Sequence, residues 1–182
     1  MATTKRTRAD IRREQLRNEF FGEVAKEELW TSDLWGWCWV PRTMPLVLQA
    51  IRMLSKGKSA AETYFALWCH CMSESIVEIK DKGSLIAAAG YNSATGERTW
   101  KARMKKLEEL GFIKTAPGTD CVLLMNPHKV LKRLKESGKR PELEIGLYNK
   151  IRKQMIDYKC RDFKEVAKFP PPPRLSTAGQ KS

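Results

Sequence analysis

No run of about 18 consecutive apolar residues occurs in the chain, so no membrane-spanning helix is expected. The opening Met-Ala-Thr-Thr-Lys-Arg-Thr-Arg is not followed by the apolar stretch that a secretory signal needs, which predicts a cytoplasmic protein. Cysteine is sparse and unpatterned: Cys38, Cys69, Cys71, Cys121 and Cys160 are odd in number and include no CxxC pair, so they read as free thiols. Cys69-His70-Cys71 falls inside an expected helix, where adjacent positions point in different directions, so a shared metal ion is not expected. Gly57-Lys58-Ser59 resembles the end of a phosphate-binding loop, but position 52 is Arg where that motif requires Gly, and a nucleotide site is excluded. Histidine is limited to His70, in a helix expected to be buried, and His128, with no nucleophile or carboxylate partner nearby in sequence. No catalytic residue, metal or cofactor is therefore expected, and the chain reads as something other than an enzyme.

Acidic residues are also outnumbered. Against 21 Asp and Glu stand 34 Lys and Arg among 182 residues, a formal net charge of +13, which points to a polyanionic partner such as DNA or RNA. Hydrophobic residues make up 42% of the chain, enough for a packed core with extensions.

Residues 5–29 read as a charged helix. Ile11, Leu16, Phe20, Phe21 and Val24 recur at near-helical spacing among mixed charges, and packing on the protein's own domain is preferred to a free arm. Residues 30–39 concentrate Trp30, Trp35, Trp37 and Trp39. The last three alternate as in a short strand and suit a core or partner surface better than base stacking. After Pro41 and Pro45 a helix runs through Leu46, Val47, Leu48, Ile51 and Leu54, ending near Gly57. Ser59 caps a further helix over 60–72 that is apolar nearly all round.

Ile76-Val77-Glu78-Ile79 has the β-branched character of a short strand. Lys80 to Gly83 is a turn, and Ser84 caps a short helix, Leu85 to Ala89, closed by Gly90, whose alanines permit another helix to cross closely. Residues 91–96 form a turn into a longer helix that stops at Gly111. On that helix Trp100, Met104 and Leu107 share one face with Leu110 at its edge, and Arg98, Lys101, Ala102 and Lys105 lie on the far side. Arg can reach guanine edges in a major groove, Lys can meet phosphates, and Ala permits close approach. Phe112 to Ala116 and Cys121 to Met125 then predict a β-hairpin with a four-residue tip, Pro117 to Asp120.

Arg98-Thr99-Trp100 followed by Arg103 to Ile113 resembles the recognition-helix-plus-wing pattern of bacterial winged helix-turn-helix proteins. Val122 to Val130 is similar to the segment after the wing in plasmid- and phage-borne replication or regulatory proteins. The resemblance covers residues 39–131. It implies a mainly α fold with a small β-hairpin: a winged helix-turn-helix core with N- and C-terminal helical extensions. It also implies a double-stranded DNA partner, and a role in transcriptional regulation or in replication or maintenance of a plasmid or other mobile element. Ser93, Thr95, Arg98, Lys101, Ala102, Lys105, Lys114 and Thr119 are the expected DNA-binding residues. The wing tip departs from the pattern in holding no Arg or Lys, which argues against a minor-groove contact from it.

Beyond the hairpin, helices are expected over 128–137 and 142–157, the second presenting Leu143, Leu147, Ile151 and Met155 at four-residue steps. From Pro127 onward fifteen Lys and Arg face six Asp and Glu, so nine of the thirteen net positive charges lie here. Such an extension adds sequence-independent affinity for phosphates, or serves a homodimer that would set two recognition helices in successive major grooves. Pro170 to Pro173 open a tail expected to be disordered. The expected organisation is thus a charged helix (1–29), a Trp-rich segment and packing helix (30–59), the winged helix domain (60–127), basic C-terminal helices (128–168) and a Pro-rich tail (169–182). The alternatives are an RNA- or single-strand-binding module using the tryptophans, and a winged helix that serves only as a protein-interaction scaffold.

Overall fold

A computed structural model describes residues 7–22, 38–57, 59–71, 75–91, 94–138, 140, 143 and 145–160. The chain divides at residue 37 into two units. The first contains helix α1 (Arg8–Phe21), followed by Gly22 with a left-handed φ of 71°, and residues 23–29 of the expected helix, Val24 among them, lie outside the described residues. Glu14 and Arg17 pair at 3.8 Å along it. Ile11, Leu16, Phe20 and Phe21 are exposed. Trp30, Trp35, Trp37 and the tail from 161 lie outside the described residues.

The second unit is mainly helical with a small antiparallel sheet. Helix α2 (Met44–Leu54) carries Pro45 in its first turn, where a missing N–H costs nothing. It buries Met44, Val47, Ala50, Ile51 and Leu54 on one face, each large side chain contributing about 1.5–3 kcal/mol of transfer free energy. Helix α3 (Ala61–Cys69) packs on α2. Ser59 precedes its cap residue, Ala60, rather than being it, yet still accepts from the Ala61 N–H at 3.2 Å and donates to Glu62 at 2.6 Å. Glu62 also pairs with Arg52 of α2 at 3.1 Å. Phe65, Cys69 and His70 are exposed, so α3 is less completely buried than its composition predicts, and the His70 ring instead meets the Ala66 carbonyl at 2.8 Å.

Strand β1 (Ile76–Glu78) leads to helix α4 (Lys82–Ala88). The cap of α4 is Asp81, not Ser84. Its carboxylate accepts from the Ser84 N–H at 3.1 Å and from the Ser84 hydroxyl, which starts the helix three residues before Leu85. Helix α5 (Gly96–Leu110) follows and stops at Gly111, whose φ of 80° is the left-handed conformation of a helix C′ position. Gly96 makes a close approach of α5 to α4, and of the alanines at α4's end Ala89 is buried while Ala87 and Ala88 are exposed. A Cβ on Gly96 would stand 2.7 Å from Ile86 Cγ2.

Strands β2 (Ile113–Thr115) and β3 (Cys121–Leu124) form the expected hairpin, with a tip of five residues. Pro117 and Gly118 (φ 75°) occupy the turn closed by Thr119 N–H to the Ala116 carbonyl at 3.1 Å, the order a type II turn requires. The hairpin is part of a larger sheet. Val77 of β1 pairs with Val122, giving the strand order β1-β3-β2. Val77, Ile113, Val122 and Leu124 face the core, whereas Ile76, Lys114 and Leu123 face outward.

Helix α6 (Pro127–Glu136) is capped by Asn126, which accepts from His128 N–H at 3.0 Å and Lys129 N–H at 3.2 Å. Helix α7 (Ile145–Asp157) begins three residues later than expected. Leu143 is buried ahead of it, and Leu147, Ile151 and Met155 bury against the core with α2 as a neighbour. One apolar cluster therefore runs from Met44 through Tyr64, Trp100, Leu107 and Phe112 to Met155. Two polar contacts join its ends. Thr43 and His128, both buried, lie 2.7 Å apart, and the Arg42 guanidinium sits 5.3 Å from the Tyr158 ring centre. Among the described residues no helix is long and apolar enough to cross a membrane.

Candidate functional site

Helix α5 owes its position to its apolar face. Trp100 is 3% exposed, Leu107 and Leu110 are buried and Met104 is half-buried against the same cluster, which fixes the rotation of the helix about its axis. The opposite side must then face solvent, and Arg98, Lys101, Ala102 and Lys105 do. Arg98 and Lys105 are seven residues apart, so they share a face about 10 Å apart along the axis, with Ala102 between them.

The cations of this row are not equivalent. Lys101 lies 3.3 Å from Glu97, and Glu97 also accepts from Lys82 of α4 at 2.7 Å. Hydrogen bonds from Lys82 and then Lys101 hold the Glu97 carboxyl below its ordinary value. Arg98, Lys105 and Lys114 enter no salt bridge among the described residues. Lys106 pairs with Glu109 at 3.7 Å near the far end of the helix. The i,i+4 spacing of Glu97 and Lys101 was available to sequence reading. The participation of Lys82 was not, because fifteen residues separate it from Glu97.

Ser93 lies outside the described residues. Thr95 is exposed at the N-cap of α5, where its carbonyl accepts from Thr99 N–H at 3.0 Å. Lys114 is exposed but stands on the outer face of the sheet, not on the face that packs toward α5, so it does not extend the α5 row. Thr119 is exposed at the tip, with its hydroxyl engaged inside the turn: it donates to the Ala116 carbonyl at 3.0 Å and accepts from Cys121 N–H at 3.2 Å.

A further residue escaped sequence reading. Glu108, on α5, accepts from the Thr115 N–H at 2.9 Å and from the Thr115 hydroxyl at 2.6 Å, tying the outgoing end of β2 to the helix. The Thr115 hydroxyl and then its N–H lower the Glu108 carboxyl from its ordinary value. Among the described residues no group of His, Cys, Asp and Glu is placed to hold a metal ion. Compared with known proteins, the chain matches no family model, no curated protein and no solved structure.

Proposed function

We propose that the chain binds double-stranded DNA by laying the Arg98–Ala102–Lys105 side of α5 in the major groove. The observation that carries this reading is the division of α5. Trp100, Leu107 and Leu110 anchor it from behind, while a row with two unbridged cations and a central alanine faces solvent. The order α3, β1, α4, α5, β2, β3, with strands arranged β1-β3-β2, supports reading this region as a winged helix-turn-helix. In that reading α4 crosses the backbone, α5 reads base edges, and the 116–120 tip is the wing.

The charge balance supports the same partner, since a +13 chain gains affinity from each phosphate whose counterions it releases. A role in regulation or in replication and maintenance of a mobile element is the narrower part of the proposal and rests on sequence resemblance. Trp39, with 83% of its surface exposed, favours a second reading as a single-strand binder through base stacking.

Selection of bound duplexes from a random pool at 150 mM salt, followed by titration of the selected duplex and of each of its strands, separates the two. Duplex preference with a loss of roughly 5- to 150-fold for Arg98→Ala, the equivalent of ~1–3 kcal/mol, is the expected result. Equal affinity for single strands, with sensitivity to Trp39→Ala and none to Arg98→Ala, would replace it with the second reading.

A further inference from the structure

Glu97 is the acidic residue in the first turn of α5, the end of a recognition helix whose side chains meet base edges. A bare carboxylate there would be repelled by the phosphates on either side of the groove. Glu97 is not bare. Lys82, at the start of α4, donates to its Oε1 at 2.7 Å, and Lys101, one turn further along α5, lies 3.3 Å from the same oxygen. Two ammoniums against one carboxylate leave the trio with a net positive charge, so it can approach a polyanion.

Both cations converge on Oε1. Among the described residues Oε2 accepts no hydrogen bond, and the Glu97 side chain is 60% exposed. Lysines from two helices thus hold one oxygen and leave the other open to solvent. Hydrogen bonds from Lys82 and then Lys101 keep the carboxyl ionised, and an ionised carboxylate only accepts. What Oε2 can take is therefore a donor. In the major groove the donors are the amino groups of cytosine and adenine. Adenine sets its amino group beside its own N7, an acceptor that repels a carboxylate. Cytosine presents its N4 amino group with no acceptor of its own beside it.

We propose that Glu97 is a specificity-determining residue that reads a cytosine, with Oε2 accepting from the N4 amino group while Lys82 and Lys101 hold Oε1. This rests on the reading of α5 as the duplex-binding helix. Arg98 is the next residue and points about 100° away around the helix, so it meets a different base pair. A guanine for Arg98 and a cytosine for Glu97 are then separate positions of one site.

The test uses the full chain as wild type, Glu97→Gln and Arg98→Ala, each confirmed as folded by thermal unfolding. Each selects duplexes from a random pool at 150 mM salt. Each is then titrated with four versions of the wild-type duplex that differ only at the cytosine assigned to Glu97. For the wild type, replacing that cytosine should weaken binding by roughly 5- to 150-fold. Gln adds an N–H donor to its acceptor and can pair with N6 and N7 of adenine, so Glu97→Gln should level or invert the preference between cytosine and adenine there. Its guanine position should stay as in the wild type. Arg98→Ala should lose the guanine and keep the cytosine. The readout is a ratio between duplexes, so any general gain from removing a carboxylate cancels. If Glu97→Gln selects the same base as the wild type at every position, or changes a position where the wild type takes a base other than cytosine, the proposal is overturned and duplex binding stands. If the wild type selects no duplex, both fail.

Discussion

Lys101 shares its ammonium with Glu97, whereas Arg98 and Lys105 keep their charge unbridged within the described residues, so equal exposure does not mean equal availability to a phosphate. In the proposed complex Lys101→Ala therefore weakens duplex binding less than Lys105→Ala does. Glu97→Gln strengthens binding by several-fold, since it removes a carboxylate from the cationic row and releases both Lys101 and Lys82. Anisotropy titrations at one salt concentration rank the three variants, and a Lys101→Ala effect larger than that of Lys105→Ala contradicts the ranking. Gly96 is a second single-residue constraint. An added methyl meets Ile86 Cγ2 at 2.7 Å, and Ile86 is β-branched and stiff about its first torsion, so it yields poorly. Gly96→Ala should destabilise by about 1–3 kcal/mol in urea unfolding. Ile86→Ala in the same chain should recover part of that stability, and additivity of the two changes would show that this contact is not the source of the strain.

At the level of elements, two polar straps hold pieces that hydrophobic patterning places only roughly. Thr43, ahead of α2, and His128, in the first turn of α6, meet in a buried contact, so Thr43→Val removes a partner from the His128 ring and should cost about 1–3 kcal/mol. Thermal or urea unfolding of the variant measures it. Glu108 does the same between α5 and β2. Its carboxyl is lowered in the folded chain, so its contribution is complete above the unfolded-state value near 4.3 and fades as pH falls through the lower folded-state value. Thr115 amide exchange, corrected for the intrinsic pH dependence, should accelerate in Glu108→Ala at neutral pH and in the wild type under acid. An unchanged rate in Glu108→Ala would remove Glu108 from this role.

The periodic elements were legible: the apolar seam of α5, its stop at Gly111 and the β2–β3 hairpin follow from spacing and turn chemistry. The start of α4 differs from expectation because Asp81 and Ser84 are both good caps and only the fold shows which one accepts. The pairing of β1 with β3 is a contact across some 45 residues, and periodicity within one short strand carries no information about its partner. At the candidate site, the exposed α5 row was readable, but the outward face of Lys114 and the internal hydrogen bonds of Thr119 depend on register and turn closure.

Across the whole second unit, the C-terminal helices belong to the same core as the expected 60–127 domain. Leu143, Leu147, Ile151 and Met155 are buried in the cluster that holds Tyr64 and Leu107. At about 1.5–3 kcal/mol each, their burial is comparable with the ~5–15 kcal/mol net stability of a typical domain. A chain ending at residue 138 should therefore lose cooperative unfolding, with its near-ultraviolet circular dichroism collapsing before its far-ultraviolet signal. A sharp, native-like transition in that truncated chain would show that α2 and α3 do not need α7. The basic surface of this third was visible in composition, but its apolar anchoring was visible only as a four-residue repeat with no stated partner.

The most direct test of the DNA-binding proposal is the salt dependence of duplex affinity for the wild type and for Arg98→Ala/Lys105→Ala, with thermal unfolding confirming that both are folded. The account predicts a linear fall of log K with log salt concentration for the wild type. For the double variant it predicts a weaker complex at every salt concentration and a slope shallower by about one for each phosphate that the protein no longer neutralises. Superimposable lines for two equally folded proteins would contradict it.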